Sequence, residues 1–173
     1  TIVFFCSDNG AANRYDGLFD SSGPLRGRKR DMYEGGLRTP MIVRWPKRVP
    51  ANQTSDAVWS FTDFLPTVAD LANIEQPEML DGISVLPTLF GKPQVTKNRF
   101  LYWEFFEGGF QQAARWENWK VIRRKKGGAL ELYNLDKDIG EKRDVSSQEP
   151  NVVAEFEAYL KNARTESEDW PVN

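Results

Sequence analysis

Four strand-length segments in the second half of the chain constrain its fold most. They span residues 100–106, 111–116, 119–124 and 130–134. The first, third and fourth segments are rich in aromatic or branched apolar residues, and the second ends in Trp116. The pairs Glu117-Asn118 and Gly127-Gly128 lie in two of the connections. Strands of this length joined by short turns predict an antiparallel sheet.

A helical pattern follows the predicted sheet. Pro150 suits the first turn of a helix, where its missing N–H costs nothing. The apolar residues after it recur at helical spacing and form one stripe: Val152, Val153, Phe156, Leu160 and Ala163. Because such a stripe must be buried, the helix is expected to cover one face of the sheet. Residues 99–173 are therefore predicted to form a small α+β subdomain.

The first half of the chain predicts an α/β arrangement over residues 1–98. Residues 2–6 form a continuous apolar run, which is typical of a strand covered on both faces in a parallel sheet. Residues 41–45 predict a second strand, and Thr62 is the expected N-cap of a helix. The expected buried face of that helix consists of Phe64, Leu65, Val68, Leu71 and Ala72. A short helical turn is expected near residues 84–89, before Gly91.

Composition excludes several kinds of site. The chain has 173 residues, a net charge of −2, one cysteine and no histidine. The absence of histidine excludes a Ser-His-Asp triad and a His-ligated zinc site within this sequence. A single cysteine excludes an internal disulfide. No apolar stretch is long enough to cross a bilayer, so no membrane partner is expected.

The long segment of residues 10–36 is rich in Gly, Arg, Asp and Ser, and loops of this length are usually functional. Asp8 and Asn9 stand just before it and offer the hard oxygen ligands that Ca²⁺ and Mg²⁺ prefer. An ordinary Asx turn is the alternative at this position. Lys29 lies in a basic, glycine-containing block and can reach an anion, although a solvated basic loop is the alternative there.

Five motifs follow one another along the chain. They are Ser7-Asp8-Asn9-Gly10, Gly23-Pro24-Leu25-Arg26-Gly27-Arg28-Lys29, Tyr33-Glu34-Gly35-Gly36-Leu37-Arg38-Thr39-Pro40, Asp63-Phe64-Leu65-Pro66-Thr67 and Leu132-Tyr133-Asn134-Leu135-Asp136. This ordered set resembles the C-terminal portion of the sulfatases of the alkaline phosphatase superfamily. The resemblance implies the end of an alkaline-phosphatase-like sheet domain, followed by the α+β subdomain. It also implies hydrolysis of sulfate esters by a secreted, periplasmic or lysosomal enzyme.

The resemblance assigns roles to individual residues. Asp8 and Asn9 match the acid and amide that help to bind the active-site calcium, with magnesium as the alternative ion. Lys29 matches the lysine that contacts the sulfate group. Arg14 and Tyr15 are expected to contribute to substrate binding and specificity. The expected substrate is a sulfated small molecule or a sulfated glycan, and the oligomeric state is left unassigned.

Other family features are missing from the sequence. The sulfatase nucleophile is a formylglycine made from the cysteine of a C-x-[P/A]-x-R motif, and the residues after Cys6 do not fit that motif. Cys6 is instead expected to be a buried strand residue. The family's catalytic histidine and N-terminal acidic ligands are also missing. The chain begins directly with an apolar run, so we expect a piece of a longer protein that is inactive alone.

Two other functions stay open. One is a phosphodiester or phosphonate ester hydrolase of the same superfamily, because phosphate and sulfate oxygens need similar partners. The other is a non-catalytic glycan-binding module that uses the aromatic residues of the sheet: Trp103, Phe105, Phe106, Trp116 and Trp119. The basic run of residues 123–126 predicts a solvated hairpin end, so no nucleic acid partner is expected.

Overall fold

The computed structural model describes residues 1–15, 18–96 and 98–172, without the side chain of Tyr15. These residues form two compact units. The first unit contains residues 1–6 and 40–96, and the second contains residues 7–39 and the chain after residue 96. The expected combination of an α/β part with a four-stranded antiparallel sheet and a C-terminal helix is confirmed. The division into domains at residue 98 stays a prediction.

In the first unit, β1 (Val3–Cys6) pairs with β2 (Met41–Arg44). The two strands are antiparallel, with Cys6 opposite Met41. The expectation of a covered strand in a parallel sheet is therefore wrong for the described residues. Phe5 is 64% exposed, and Cys6 is exposed rather than buried. An apolar run indicates how strongly a strand favours burial, but it does not specify the direction of its partner.

The helix α2 (Phe64–Ala72) follows a 3₁₀ turn at Phe61–Asp63. Ser60 is the N-cap of that turn: its Oγ accepts the Thr62 N–H at 3.4 Å, and its own N–H donates to Asp63 Oδ2 at 2.7 Å. Asp63 is the N-cap of α2 itself, without a side-chain cap bond, so the prediction of Thr62 is wrong. The prediction failed because the 3₁₀ turn extends the helical segment toward the N-terminus. The cap is the residue before that turn, and Asp63 completes a capping box with it.

The expected buried face of α2 is also wrong in part. Phe64 and Leu65 are each 53% exposed, Ala72 is exposed as well, and Val68 and Leu71 are half-buried. The residues that are buried are instead Pro66, Thr67 and Ala69. Thr67 is buried because its Oγ1 donates to the Asp63 carbonyl at 2.6 Å and accepts the Val85 N–H at 2.9 Å. These bonds satisfy a polar side chain in the interior, which apolar periodicity cannot reveal.

The short helix α3 (Leu86–Leu89) lies where the sequence predicts a helical turn. Gly91 follows it with a φ of +69°, in the left-handed region that favours glycine. Within the described ranges, none of the helices combines the length and apolar character needed to cross a bilayer.

In the second unit, four strands form one sheet in the order β3-β4-β5-β6, and each neighbouring pair is antiparallel. The strands are β3 (Phe100–Phe105), β4 (Gln111–Trp116), β5 (Trp119–Arg123) and β6 (Leu130–Asn134). The helix α4 (Pro150–Leu160) follows them, and a short helix α1 (Glu34–Leu37) precedes them. All four predicted strands are present.

The sheet of the second unit has a core on each face. One core contains Val121 and Leu132 and is covered by Phe156 and Leu160 of α4. The predicted apolar stripe ends there, because Ala163 lies beyond the end of the helix. Neighbouring strand residues point to opposite faces, so Ile122 belongs to the other core.

That second core contains Ile122 and Tyr133 of the sheet, packed against Met32 and Tyr33. The segment that precedes α1 is therefore a structural layer of this unit. The loop that the sequence suggested for function is bound to the antiparallel sheet through an apolar face.

Candidate functional site

Two backbone hydrogen bonds connect the segment of Asp8 and Asn9 to residues 26–36, which we call the Lys29 segment. The Gly10 N–H donates to the Gly36 carbonyl at 2.9 Å, and the Lys29 N–H donates to the Ala11 carbonyl at 2.9 Å. Residues 10 and 11 directly follow Asn9 in the chain. The structure thus places the backbone that bears the predicted metal ligands beside the backbone that bears the predicted anion ligand.

Glycines make this close approach of three backbone segments feasible. A Cβ on Gly10 would overlap the Gly35 carbonyl oxygen, and a Cβ on Gly35 would overlap the Gly27 carbonyl oxygen. A Cβ on Gly36 would likewise overlap the carbonyl oxygen of Asp31. We call Gly10, Gly35 and Gly36 the glycine junction. Since any larger residue would push the segments apart, this junction fixes their spacing.

The predicted site side chains lie near the surface. Asp8, Lys29 and Arg14 are exposed, and Asn9 is half-buried. Arg14 lies in a 3₁₀ turn at Asn13–Tyr15, and the side chain of Tyr15 is outside the described part of the chain. Throughout the described ranges, Asp8, Asn9 and Lys29 make no side-chain hydrogen bond or ion pair. The functional roles of these residues stay predictions.

The residue after Lys29 has an unusual backbone conformation. Arg30 has a φ of +82°, and its Nε donates to Glu107 Oε2 at 2.5 Å. This hydrogen bond lowers the pKa of Glu107 despite partial desolvation, and the charge of Lys29 adds to the effect. The contact joins the Lys29 segment to the turn between β3 and β4. Because both side chains are exposed, it adds little to stability.

A group of charged residues lies buried beneath the Lys29 segment, between α1 and the sheet. Lys120 Nζ is 3.0 Å from Glu34 Oε1 and 2.9 Å from Glu141 Oε1. The Glu34 N–H donates to Glu141 Oε2 at 2.7 Å, and Arg115 Nη1 lies 3.3 Å from Glu34 Oε2. We call Glu34, Lys120, Glu141 and Arg115 the buried charge cluster. Lys120 and Glu141 have no exposed surface.

Burial dominates the electrostatics of this cluster. It raises the pKa of Glu141 even though Lys120 and the Glu34 N–H favour the charged carboxylate. It also lowers the pKa of Arg115, against the attraction of Glu34. Charged groups withdrawn from water are costly unless they are paired with good geometry. Each member of the cluster therefore depends on the presence of the others.

A second polar network anchors the start of the Lys29 segment. Arg26 Nη1 donates to the Glu141 carbonyl at 2.6 Å, and its guanidinium lies 3.8 Å from the centre of the Tyr33 ring. Tyr33 and Tyr133 both donate to Glu131 Oε2, at 2.8 and 2.9 Å. Burial and the Glu131 carboxylate raise the pKa of both phenols. Both hydroxyls are therefore hydrogen-bond donors at neutral pH.

The buried charge cluster is not predicted from the sequence. Glu34 stands there only as part of a motif, and neither Lys120 nor Glu141 has a predicted role. One signal is available, because Lys120 shares a strand face with Ile122, and both faces of that strand are buried. A charged residue at such a position requires a buried partner. The identity of that partner was hidden, since Glu34 is 86 residues away in sequence.

The donor atoms of Asp8 and Asn9 fit calcium, which prefers carboxylate and amide oxygens. Two residues are too few for the six to eight oxygens that calcium takes. Among the residues that the structure describes, no group of three or more His, Cys, Asp and Glu residues could hold a metal ion. A calcium site at this position would therefore need further ligands.

The aromatic residues that would serve a glycan-binding face have packing roles. Trp103 and Phe105 pack against the core beside α1, and Trp116 and Trp119 pack against the core beneath α4. Phe106 forms a tilted ring pair with Phe110. Four of these five rings therefore line the two cores of the second unit.

Comparison with protein families gives one match over most of the chain. The family described as N-sulphoglucosamine sulphohydrolase, C-terminal, matches residues 27–166. Steryl-sulfatase of Mus musculus is 35% identical over 129 residues, covering 70% of this chain and 20% of the relative. N-acetylgalactosamine-6-O-sulfatase of Bacteroides thetaiotaomicron is 30% identical over 190 residues, covering 95% of this chain and 36% of the relative. The chain therefore spans a minor part of the curated relatives that it matches.

Solved structures also resemble this chain over nearly all of its length. Ps i-CgsB in complex with k-i-k-neocarrahexaose has a TM-score of 0.78 at 29% identity, over 99% of this chain and 38% of that one. A protein in complex with its substrate D-glucosamine-2-N,6-O-disulfate has a TM-score of 0.73 at 25% identity, covering 94% of this chain and 33% of that one. The phosphonate monoester hydrolase of Agrobacterium radiobacter has a TM-score of 0.67 at 20% identity, covering 92% of this chain and 34% of that one. This last likeness is one of fold alone.

Proposed function

Because this chain belongs to the sulfatases, in the family described as N-sulphoglucosamine sulphohydrolase, C-terminal, we propose that it supplies one side of an active site for sulfate ester hydrolysis. Asp8 and Asn9 are the metal ligands of this proposal, and Lys29 is the sulfate ligand. The observation that carries it is the hydrogen bond from the Lys29 N–H to the Ala11 carbonyl. This bond holds the Lys29 segment beside the residues that follow Asn9.

Lys29 would act on the sulfate group of the substrate. Its ammonium is a compact charge on an exposed side chain, available to a sulfate oxygen. As the ester bond breaks, negative charge on the departing group and on the sulfate oxygens has to be stabilised. A positioned cation lowers the energy of that transition state more than that of the bound substrate, which is the requirement for catalysis.

Asp8 and Asn9 would hold a calcium ion, with magnesium as the alternative. When bound, the ion would withdraw negative charge from a sulfate oxygen. The Asp8 carboxylate would contribute charge to the site, and the Asn9 amide oxygen would contribute a neutral ligand. The remaining ligands would come from residues outside this sequence.

The proposed substrate class is a sulfated sugar. Two structural relatives were solved with carbohydrate ligands, a neocarrahexaose and a glucosamine disulfate. A curated relative is also named for a sulfated amino sugar. Arg14, exposed near the metal-ligand segment, is the proposed contact for a further anionic group of such a substrate. Steryl-sulfatase represents the small-molecule alternative.

We further propose that these 173 residues alone are inactive. The sequence contains no histidine, and its only cysteine, Cys6, is not followed by the motif that yields formylglycine. The nucleophile would therefore come from a longer gene product that contains this chain.

The test compares the longest natural gene product that contains this chain with the isolated 173 residues. Both are assayed with an aryl sulfate and with the matching phosphate diester and phosphonate ester. Turnover of the sulfate by the longer product, with none by the isolated chain, would support the proposal. Turnover by the isolated chain would refute its inactivity. Faster turnover of the phosphate or phosphonate esters would favour the esterase alternative instead.

The same preparation tests the non-catalytic alternative. Binding of a sulfated oligosaccharide, with no turnover of any ester by the longer product, would favour a glycan-binding module. The packing of most of these aromatic side chains against the two cores argues against that alternative, because a partly buried ring offers less of its face for stacking on a sugar.

A further inference from the structure

We infer that Lys120 and Glu141 are positioning residues for Lys29, an inference that rests on the proposed function for the role of Lys29. Neither residue is near the surface, and neither would touch the substrate. They would act by fixing the position of α1, whose backbone is hydrogen-bonded to the segments of Lys29 and Asn9.

Lys120 and Glu141 connect the sheet to α1. Lys120 lies on β5 and shares a strand face with Ile122, toward the core that the Lys29 segment covers. Its ammonium is 3.0 Å from the Glu34 carboxylate. Glu141, which follows β6, lies 2.9 Å from the same ammonium and accepts the Glu34 N–H at 2.7 Å. Glu34 is thus held at its side chain and at its backbone.

Backbone hydrogen bonds connect the residues after Glu34 to the segments of Lys29 and Asn9. The next residue, Gly35, donates its N–H to the Arg26 carbonyl at 2.7 Å, three residues before Lys29. Gly36 accepts the Gly10 N–H at 2.9 Å, next to Asn9. A displacement of Glu34 would therefore shift the anchors of both segments at once.

The charges at this position contribute orientation rather than stability. Apolar residues would stabilise the interface equally well or better, since buried ion pairs seldom gain net stability. Met32 and Tyr33 already bury the face of the sheet next to α1. Charge-assisted hydrogen bonds add direction, because they fix the position of donor and acceptor more narrowly than apolar contacts do. A cluster that adds orientation rather than burial fits a positioning role.

The first experiment measures backbone amide exchange in the intact 173-residue chain. Glu141→Gln removes the charge that faces Lys120 while keeping the side-chain shape. We expect exchange at the Gly10, Lys29 and Gly35 amides to accelerate about tenfold or more relative to the β4 and β5 amides, as expected for a local opening. Val121→Ala is the matched control, because this neighbour on β5 faces α4.

For Val121→Ala we expect exchange to accelerate evenly across the unit. Lys120→Met is the second test variant, so Glu141→Gln still decides the question if Lys120→Met does not fold. Equal acceleration in the strands and at the three amides of Glu141→Gln would overturn the inference. This readout does not depend on any enzymatic activity, so it stands even if the longer product hydrolyses no sulfate ester.

The second experiment is a double-mutant cycle in the longer gene product. If Glu141 acts through Lys29, Glu141→Gln lowers kcat for an aryl sulfate about tenfold or more in the unmodified enzyme and has little effect in the Lys29→Ala background. KM should change less than kcat in the single variant. An equal loss of kcat in both backgrounds would overturn the inference. A longer product without sulfatase activity would instead refute the proposed function, and the exchange data would then decide the structural role.

Discussion

The backbone N–H of Lys29 donates to the carbonyl oxygen of Ala11 at 2.9 Å, two residues beyond Asn9. Because this bond joins main chain to main chain, the distance between the two backbone segments does not depend on the Lys29 side chain. The side chain is therefore free to contact a ligand. Because the backbone of Lys29 holds the segment and its side chain does not, substitutions of Lys29 test its chemical role rather than its role in folding.

We predict that Lys29→Ala lowers kcat for an aryl sulfate in the longer gene product about 100-fold, the loss typical for one group that stabilises transition-state charge. Stability should change little, since the side chain is exposed. Steady-state kinetics and urea unfolding check both parts. Lys125→Ala, which removes another exposed cation, is the control and should leave kcat unchanged. Equal kcat for Lys29→Ala and the unmodified enzyme would contradict the assigned role.

Gly10→Ala should destabilise the second unit by about 2–4 kcal/mol, because the added Cβ overlaps a backbone oxygen that cannot move alone. Urea unfolding of the intact chain measures this loss. Gly108→Ala is the control: its φ is +81°, but nothing lies within 4 Å of an added Cβ. That variant should cost only the conformational strain of about 1–2 kcal/mol. Equal losses for both variants would show that close packing at the junction is unimportant.

Lys120→Met should lower the free energy of unfolding by about 3–5 kcal/mol, because it leaves two carboxylates buried without their ammonium partner. The triple variant Lys120→Met/Glu34→Gln/Glu141→Gln removes both carboxylate charges and should recover part of the loss, because Arg115 then lies partly buried without its Glu34 partner. Arg30→Met, which breaks an exposed ion pair, should change stability little. Chemical denaturation of the four proteins is the measurement. A triple variant as unstable as Lys120→Met alone would argue against unpaired charge as the cause.

The stability contributed by Asp144 should depend on pH. Asp144 is exposed, and partial desolvation of its carboxylate raises its pKa, but hydrogen bonds from the Leu132 and Ser146 N–H groups outweigh this effect and hold the pKa below its ordinary value of 3.8. The resulting stabilisation is complete above the unfolded-state pKa and is lost as the pH falls through the lower folded-state pKa.

Asp144→Asn should therefore cost about 1 kcal/mol near neutral pH, at the low end for bonds to a charged acceptor because solvent screens the group. The difference from the unmodified chain should shrink below about pH 4. Unfolding curves across this range provide the check. Asp56→Asn, at an exposed position, is the control and should not change stability at any pH. A difference that persisted in acid would exclude the charge as its source.

Calcium should bind weakly or not at all to the isolated 173 residues, because Asp8 and Asn9 supply too few ligands. Calorimetric titration is the measurement, and micromolar affinity would contradict the prediction. The longer gene product should bind calcium, lose sulfatase activity with a chelator and regain it on addition of calcium. Asp8→Ala should weaken that binding, whereas Asp56→Ala should not.

The C-terminal part of the fold could be predicted from sequence because its information is local. Each strand from Phe100 to Asn134 is marked by its own residues and by adjacent turns, and the structure confirms all four. The partner of β1 could not be predicted in this way. An apolar run is compatible with either strand direction, and the choice depends on residues more than 30 positions away.

The residues of the candidate site differ in the same way, between those marked by local motifs and those that depend on long-range contacts. Asp8, Asn9 and Lys29 are accessible to sequence analysis because they stand in recognisable motifs. The contact between Lys120 and Glu34 spans 86 residues and depends on how the Lys29 segment covers the sheet. Long-range pairing of this kind leaves only an indirect mark in the sequence, a charged residue at a strand position that must be buried.

The two-sided sheet has a consequence for insertions and deletions. On β5, Val121 faces α4 while Lys120 and Ile122 face the Lys29 segment. A shift of the strand by one residue would exchange these faces, placing an ammonium in an apolar core and withdrawing it from Glu34. A single-codon deletion within β5 would thus damage both the hydrophobic core and the anchoring of Lys29. In a protein of this architecture, the register of one short strand far from the proposed substrate is constrained as strictly as the identity of the residues that would touch the substrate.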